Sequence, residues 1–355
     1  MTDYAIVVGI NNYPAFDPLQ GPVKDAKAFR QWLVDQGKVP EANIREVYSS
    51  DFSTRNVAGQ PTALTQPAIE AVNAKFIELV HLANQNFQKL PRIGRRLYIY
   101  LAGHGITPRV SNNLDSAALL MANAEPASAG LHLPGPAYAD WFRQSHAFEE
   151  IILFMDCCRN AFDDIEQAAV PFTTLRGGDP TKVKTLYVLA TQWDAPAFEQ
   201  PLGTPAEMRG VFTYALLEVL RSGAGNTAGK LTALGLKGSL QLAISRLRQG
   251  DVPQFPRFSL GNVDDIVLFD SASVGLPTTT IEWKTARHGR TADVLDGFDN
   301  PLSPPLQVTA SASNTQVKLK PGLYSVRFAE GDSDVLKIRP GLSRNAQDVG
   351  LVSVD

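Results

Sequence analysis

Two side chains in this 355-residue sequence are suited to nucleophilic chemistry on a carbonyl carbon: the imidazole of His104, in YIYLAGHG, and the thiol of Cys158, in IILFMDCCRN. A thiolate is a strong nucleophile, and a histidine within reach can take the thiol's proton and hand it to a leaving group. Both residues stand just past a short apolar run. Residues 98–102 and 151–155 are β-prone and apolar on both faces, the pattern of central parallel strands. Whatever follows the carboxyl ends of such strands shares one crevice, where ligands bind and loops hold reactive groups on a rigid base. The pattern therefore predicts that His104 and Cys158 meet in space.

Their neighbours fit the same chemistry. Gly105 lets the backbone after His104 approach a substrate closely. Successive strand residues point to opposite faces, so only one of Cys157 and Cys158 can face the crevice. If it is Cys158, Asp156 shares its face and Cys157 packs inward as a small apolar side chain.

The elements that must carry these residues alternate between β-rich runs and helical patterns, which predicts an α/β sandwich with a mostly parallel sheet. Residues 4–10 read as the first strand. Residues 23–34 carry a helical apolar stripe of Val23, Ala26, Phe29, Trp32 and Leu33. Further helices are expected over 68–87 and 134–146, and another strand over 185–190. Residues 106–133, rich in Ala, Asn and Pro, read as a long loop or hairpin over the site. Residues 163–184 read as an exposed connection. From about residue 275 the texture turns to Thr, Ser, Pro and short alternating strands. Domains are accordingly expected at 1–270 and, as a small all-β accessory module, at 275–355.

Composition bounds the function classes. The chain is 44% hydrophobic with a formal charge of −3, enough to bury a large core and without a basic field that would imply nucleic acid or an anionic membrane as partner. Two adjacent cysteines, no signal-peptide pattern and no apolar run near the roughly 20 residues of a membrane helix make a cytoplasmic location the expectation. His132 and His146 have no ligand at zinc spacing, and the short GxG fragments lack a phosphate-loop context.

The segments YAIVVGINNY, LQGPVKDAKAFRQWL, GHG, DCCRN, TLYVLATQWDAPAFE and RGVFTYALLEVL, in that order, resemble the caspase-fold cysteine peptidases of the metacaspase and bacterial caspase-like kind, over roughly residues 4–270. His104 precedes Cys158 by roughly the 50 residues seen in caspases, and Arg159 follows the cysteine as in their signature. The resemblance implies a caspase-like three-layer αβα sandwich and a Cys158–His104 dyad with the oxyanion held by backbone N–H groups of Gly105 and Cys158. It further implies a pocket, lined by Asp25 and Asp156, for the arginine or lysine before the cut. Asp25 also reads as an acid favoured at a helix start, and Asp156 as a strand-end cap. Thr191, Gln192 and Trp193 fall where the family builds a substrate wall, although Trp193 reads equally as packing, and Glu199 matches an acid common in bacterial relatives. Arg176, Lys182 and Lys184 are the candidate self-processing points.

Two departures stand out: Arg159-Asn160 replaces the usual His-Ser of metacaspases, and their calcium-binding acidic cluster is not evident, although Asp163 and Asp164 could join such a site. No cofactor is expected. The expected partners are a protein substrate and, through the C-terminal module, an activating protein within a stress, cell-death or antiphage response. A catalytically silent scaffold, a peptidase with acidic preference and a hydrolase of other amides or esters are the alternatives.

Overall fold

Apolar residues on both faces of a strand demand cover on both sides, and the chain supplies it with helices. In the structure, a computed structural model, the elements run β1 (Tyr4–Gly9), α1 (Pro22–Asp35), β2 (Ile44–Tyr48), α2 (Ile69–Gln85), β3 (Gly94–Ala102), β4 (Gly105–Arg109), β5 (Ala118–Leu120) and β6 (His132–Leu133). They continue with α3 (Gly135–Ser145), β7 (Phe148–Asp156), β8 (Asn160–Glu166), β9 (Lys184–Leu189), β10 (Glu199–Leu202), β11 (Glu207–Gly210) and α4 (Val211–Ser222). After these come β12 (Lys230–Thr232), α5 (Ala233–Leu247), β13 (Arg257–Gly261) and β14 (Val267–Asp270). The structure describes residues 2–56, 59–85, 92–109, 115–126, 131–173, 179–222, 230–261, 266–270, 278–283, 288–296, 300–311, 315–319, 322–329, 333–338 and 352–354.

Six strands form the central sheet in the order β13-β9-β7-β3-β1-β2, parallel except for β13 at one edge. Leu97, Ile99, Leu101, Leu153 and Met155 face one side, where Val72, Phe76 and Leu79 of α2 and Tyr138 and Phe142 of α3 close the core. Alternate residues face the other side. There Phe29 of α1 stacks on Tyr100, with ring centroids 4.6 Å apart, and lies edge-on to Tyr98 and Phe154. The architecture is thus a three-layer αβα sandwich, with α1 and the start of α4 over one face and α2 and α3 over the other.

Beyond the ends of β3 and β7 lies a second sheet, in the order β6-β5-β4-β8. It bears on two expectations. Of the loop or hairpin expected over 106–133 the described residues form the hairpin, with β4 antiparallel to β5 and β5 antiparallel to β6, and Ala117 to Ala122 and Ala124 are buried in the main core. The segment 163–184 is not an exposed connection throughout. Its first residues complete β8, which pairs parallel with β4, and Val183 is buried.

The chain divides into two compact units, residues 1–217 with 241–266, and residues 218–240 with 267–355. In the second unit β12 pairs antiparallel with β14. Its remaining strands are β15 (Thr278–Trp283), β16 (Thr291–Asp296), β17 (Pro301–Thr309), β18 (Thr315–Lys318), β19 (Gly322–Phe328), β20 (Ser333–Ile338) and β21 (Val352–Val354). They form two sheets, β18-β15-β21 and β17-β16-β19-β20. Ile281, Trp283, Val294, Val308, Val317 and Phe328 pack between them, so the C-terminal segment is an all-β module with its own core.

Candidate active site

Register brings the backbone positions of His104 and Cys158 side by side. Strands β3 and β7 pair in parallel up to Ala102↔Asp156, Gly103 N–H donates to the Asp156 carbonyl at 3.2 Å, and pairing resumes between β4 and β8 at Ile106↔Asn160. His104 and Cys158 stand midway between these two rungs, one on each chain. Glycines make the approach feasible. A Cβ at Gly105 would sit 2.6 Å from both Cys157 Sγ and the Cys158 carbonyl oxygen, and one at Gly103 would collide with Tyr13 Oη.

Tyr13, a residue the sequence reading did not single out, anchors the histidine. Its hydroxyl donates to the Leu120 carbonyl and accepts the His104 backbone N–H, both at 3.1 Å. Its ring meets the imidazole edge-on at 4.7 Å, and Phe16 flanks the same imidazole. His104 Nε2 lies 2.7 Å from the Asp17 carbonyl oxygen. Because a carbonyl only accepts, Nε2 carries a hydrogen there, and the neutral ring keeps its lone pair on Nδ1 for proton transfer.

Cys158 is partly exposed, whereas Cys157 is buried in the core. The Cys158 thiol meets Ala197 twice, accepting its N–H at 3.3 Å and donating to its carbonyl at 3.6 Å. Burial pushes this thiol above its ordinary range, the Ala197 N–H pulls it down, and the charge of Asp156 pushes it up again. The resting thiol is therefore neutral, and attack requires a base beside it.

The loop that carries Ala197 is held by Arg159, wholly buried and so positioned for structure rather than for substrate. Its guanidinium donates to the carbonyls of Ser116 at 2.8 Å and Thr191 at 3.3 Å. Its backbone N–H donates to the Ala195 carbonyl, and its carbonyl accepts from Asp194. Gln254 braces the same loop, accepting from Phe198 N–H and donating to the Ala190 carbonyl. Of the three wall candidates, Thr191 is buried. Gln192 and Trp193 present surface, the latter at 41% exposure, with Gln192 Nε2 donating to the Pro256 carbonyl.

Beside the thiol lies an acidic cluster at the N-terminus of α4, where free N–H groups and the helix dipole favour anions. Asp25, in the first turn of α1 and 1% exposed, accepts Arg209 Nε at 2.5 Å and Gly210 N–H at 2.7 Å. Asp156, 9% exposed, accepts both the N–H and the hydroxyl of Thr213 on Oδ2, at 3.1 and 2.6 Å. A Cβ at Gly210 would collide with Asp156 Oδ2 and stand 3.1 Å from Asp25 Oδ2, so the two carboxylates share this glycine. Burial pushes Asp25 up to about 7, against the pull of Arg209 and with a further push from Asp156. Asp156 is pushed up to about 6, again by burial first, against its Thr213 hydrogen bonds. Glu199 stands next to the pair and closes the N-terminus of α1, accepting Gly21 N–H at 2.7 Å. Both alternative readings thus describe real contacts: Asp25 is a helix-start acid, and Asp156 caps a helix as well as ending a strand.

Among the self-processing candidates, Lys182 ends a short 3-10 turn with an exposed side chain, Lys184 begins β9, and Arg176 lies outside the described residues. Asp164 is exposed on β8, while the side chain of Asp163 lies outside the description. Among the described residues, no group of three His, Cys, Asp or Glu side chains is placed to hold a metal ion, and no helix is long and apolar enough to cross a membrane.

The caspase domain family model matches residues 2–259. A probable protease from a Desulfuromonadales bacterium is 31% identical over 231 residues, or 64% of this chain, and the chain spans 26% of that protein's length. Among solved structures, caspase-1 from Spodoptera frugiperda covers 76% of this chain and 90% of its own, at 10% identity and a TM-score of 0.46. Pro-Sf-caspase-1 covers 75% and 94%, at 12% identity and a TM-score of 0.41.

Proposed function

The chain belongs to the caspase domain family, and from that premise we propose that it is a cysteine endopeptidase that cuts proteins after arginine or lysine. The observation that supports this reading is the strand register, in which His104 and Cys158 each stand midway between the rungs Ala102↔Asp156 and Ile106↔Asn160, with the buried carboxylates of Asp156 and Asp25 sharing Gly210.

In this reading His104 Nδ1 accepts the Cys158 proton, the thiolate adds to the scissile carbonyl, and the oxyanion rests on the N–H groups of Gly105 and Cys158. The imidazolium then protonates the departing amine, leaving a thioester on Cys158 that water hydrolyses with His104 as base. No metal takes part in these steps. A basic side chain before the cut enters a site whose acids are already desolvated, so binding it costs them little further hydration. An aspartate there would face two carboxylates, with the nearby Arg209 already paired to Asp25.

Peptides ending in Arg, Lys and Asp coumarin amides test the reading against a Cys158→Ala enzyme. Cleavage after Arg or Lys that vanishes in the variant is expected. A preference for Asp, or full activity without the thiol, overturns it. Mapping new termini in a labelled proteome separates a peptidase from a silent scaffold, which would generate none. The proposed setting is cytoplasmic, in a regulated stress, cell-death or antiphage pathway, with self-processing within 163–184 and an activating protein that engages the C-terminal module.

A further inference from the structure

The two carboxylates of the proposed basic pocket are not equivalent. Both oxygens of Asp25 are taken from within the chain, Oδ1 by Arg209 Nε and Oδ2 by Gly210 N–H, and the side chain is almost wholly buried. Asp156 is engaged on one side only: Oδ2 takes both Thr213 donors, while Oδ1 has no hydrogen-bond partner among the described residues. It is also the more exposed of the two, and it ends β7 two residues before the nucleophile. We propose that Asp156 alone receives the substrate's basic side chain, through Oδ1, while Arg209 is a positioning residue that neutralises Asp25 and locks it as the pocket's inner wall.

The chemistry requires such a division. Two bare carboxylates against one glycine would repel, and one would take up a proton, as like charges in a shared site do. A resident guanidinium pulls Asp25 back toward its ionised form against burial and the push of Asp156, and holds the α4 N-terminus against α1, so that Gly210 and Thr213 are in place for Asp156. The consequence is a pocket with a single available acceptor oxygen and a fixed cation close by, which favours one hydrogen-bond donor group carrying one positive charge.

This rests on the Arg/Lys reading above, and the test separates the two. Peptide amides that differ only in arginine or its neutral isostere citrulline are compared in the wild type, in Asp156→Asn, and in the double variant Asp25→Asn with Arg209→Met, which removes the inner pair as a pair. Wild type without preference for arginine means that the basic-pocket reading has failed. Given that preference, Asp156→Asn is expected to reduce the Arg-to-citrulline ratio of kcat/KM at least 30-fold. The double variant should keep the ratio within about threefold, even where its rates on both peptides fall together. Loss of the ratio in the double variant, or its retention in Asp156→Asn, overturns the proposal. Calorimetric binding of the same two peptides in a Cys158→Ala background reads the ratio for any variant too slow to assay, and thermal unfolding confirms that each is folded.

Discussion

At the scale of single residues, the adjacent thiols make the sharpest contrast. Cys157 sits in the core under Gly105, whereas Cys158 opens to the crevice. Cys158→Ala should lower peptide cleavage at least 10³-fold without loss of stability. Cys157→Ala should keep most activity while costing roughly 1–2 kcal/mol in denaturant unfolding, as small cavities do. Asp156 joins function to stability through its titration. Its native carboxyl is pushed up to about 6, against about 3.9 unfolded. The native state therefore binds the proton more tightly, and stability is lost as pH rises from about 4 through 6. An asparagine keeps an acceptor for both Thr213 donors and removes the charge. Asp156→Asn should accordingly unfold at a higher temperature than wild type at pH 8, by roughly 2–3 kcal/mol, with the gap closing near pH 4. Melting curves at the two pH values check this, and a constant gap would contradict the assignment. The strand ends that carry His104, Cys158 and Asp156 and the helix start that carries Asp25 were legible in the sequence from hydrophobic period alone. Their partners were not: Tyr13 lies 91 residues from His104, Thr213 lies 57 from Asp156, and Arg209 lies 184 from Asp25, and no local pattern announces such pairs.

Among the elements, legibility followed how much burial each imposes on its own sequence. β1, β3, β7 and β9 are apolar on both faces and α1 carries a clear stripe, so hydrophobic period alone marks them. The sheet of β4, β5, β6 and β8 was legible only as a loop or hairpin because its strands are short, some of only two or three residues, and its core is alanine-rich. It is held instead by the long-range pairing of β4 with β8. That small sheet continues the two chains past His104 and Cys158, and its β4–β8 pairing clamps both positions. The junction of β11 and α4 plays the matching part for the acids, since Gly210 leaves room for both and donates to one. Gly210→Ala drives a methyl group into Asp156 Oδ2. Cleavage after arginine should fall about 100-fold or more while iodoacetamide still alkylates Cys158 at the wild-type rate. Equal loss in both assays would mean that the junction positions the thiol as well.

At the scale of the whole molecule, the sheet order decides what proteolytic processing can achieve. The segment from the end of β8 to the start of β9 contains Lys182 on an exposed turn, whereas cutting at Lys184 would open the first rung of β9 on β7, Glu150↔Lys184. Cleavage by the enzyme itself should therefore fall at or before Lys182, absent in Cys158→Ala, with the new terminus read by mass spectrometry. β9 is an interior strand, bonded in parallel to β7 from Glu150 to Met155 and antiparallel to β13 from Leu189 back to Thr185. Separating the fragments means exposing that ladder together with Leu186, Val188 and Leu189, all buried, at a cost of several kcal/mol in apolar surface alone. Arg159 adds to the hold, since its guanidinium and backbone bind Thr191, Asp194 and Ala195 across the cut. A nicked chain should thus elute as one particle at the intact mass in size exclusion and show two bands only after denaturation. Fragments that separate in native buffer would mean that β9 is not held as the register describes. What a cut frees is the end of β8 and the start of β9, each one strand length from the thiol and its Ala197 loop, so its effect belongs in kcat/KM rather than in assembly.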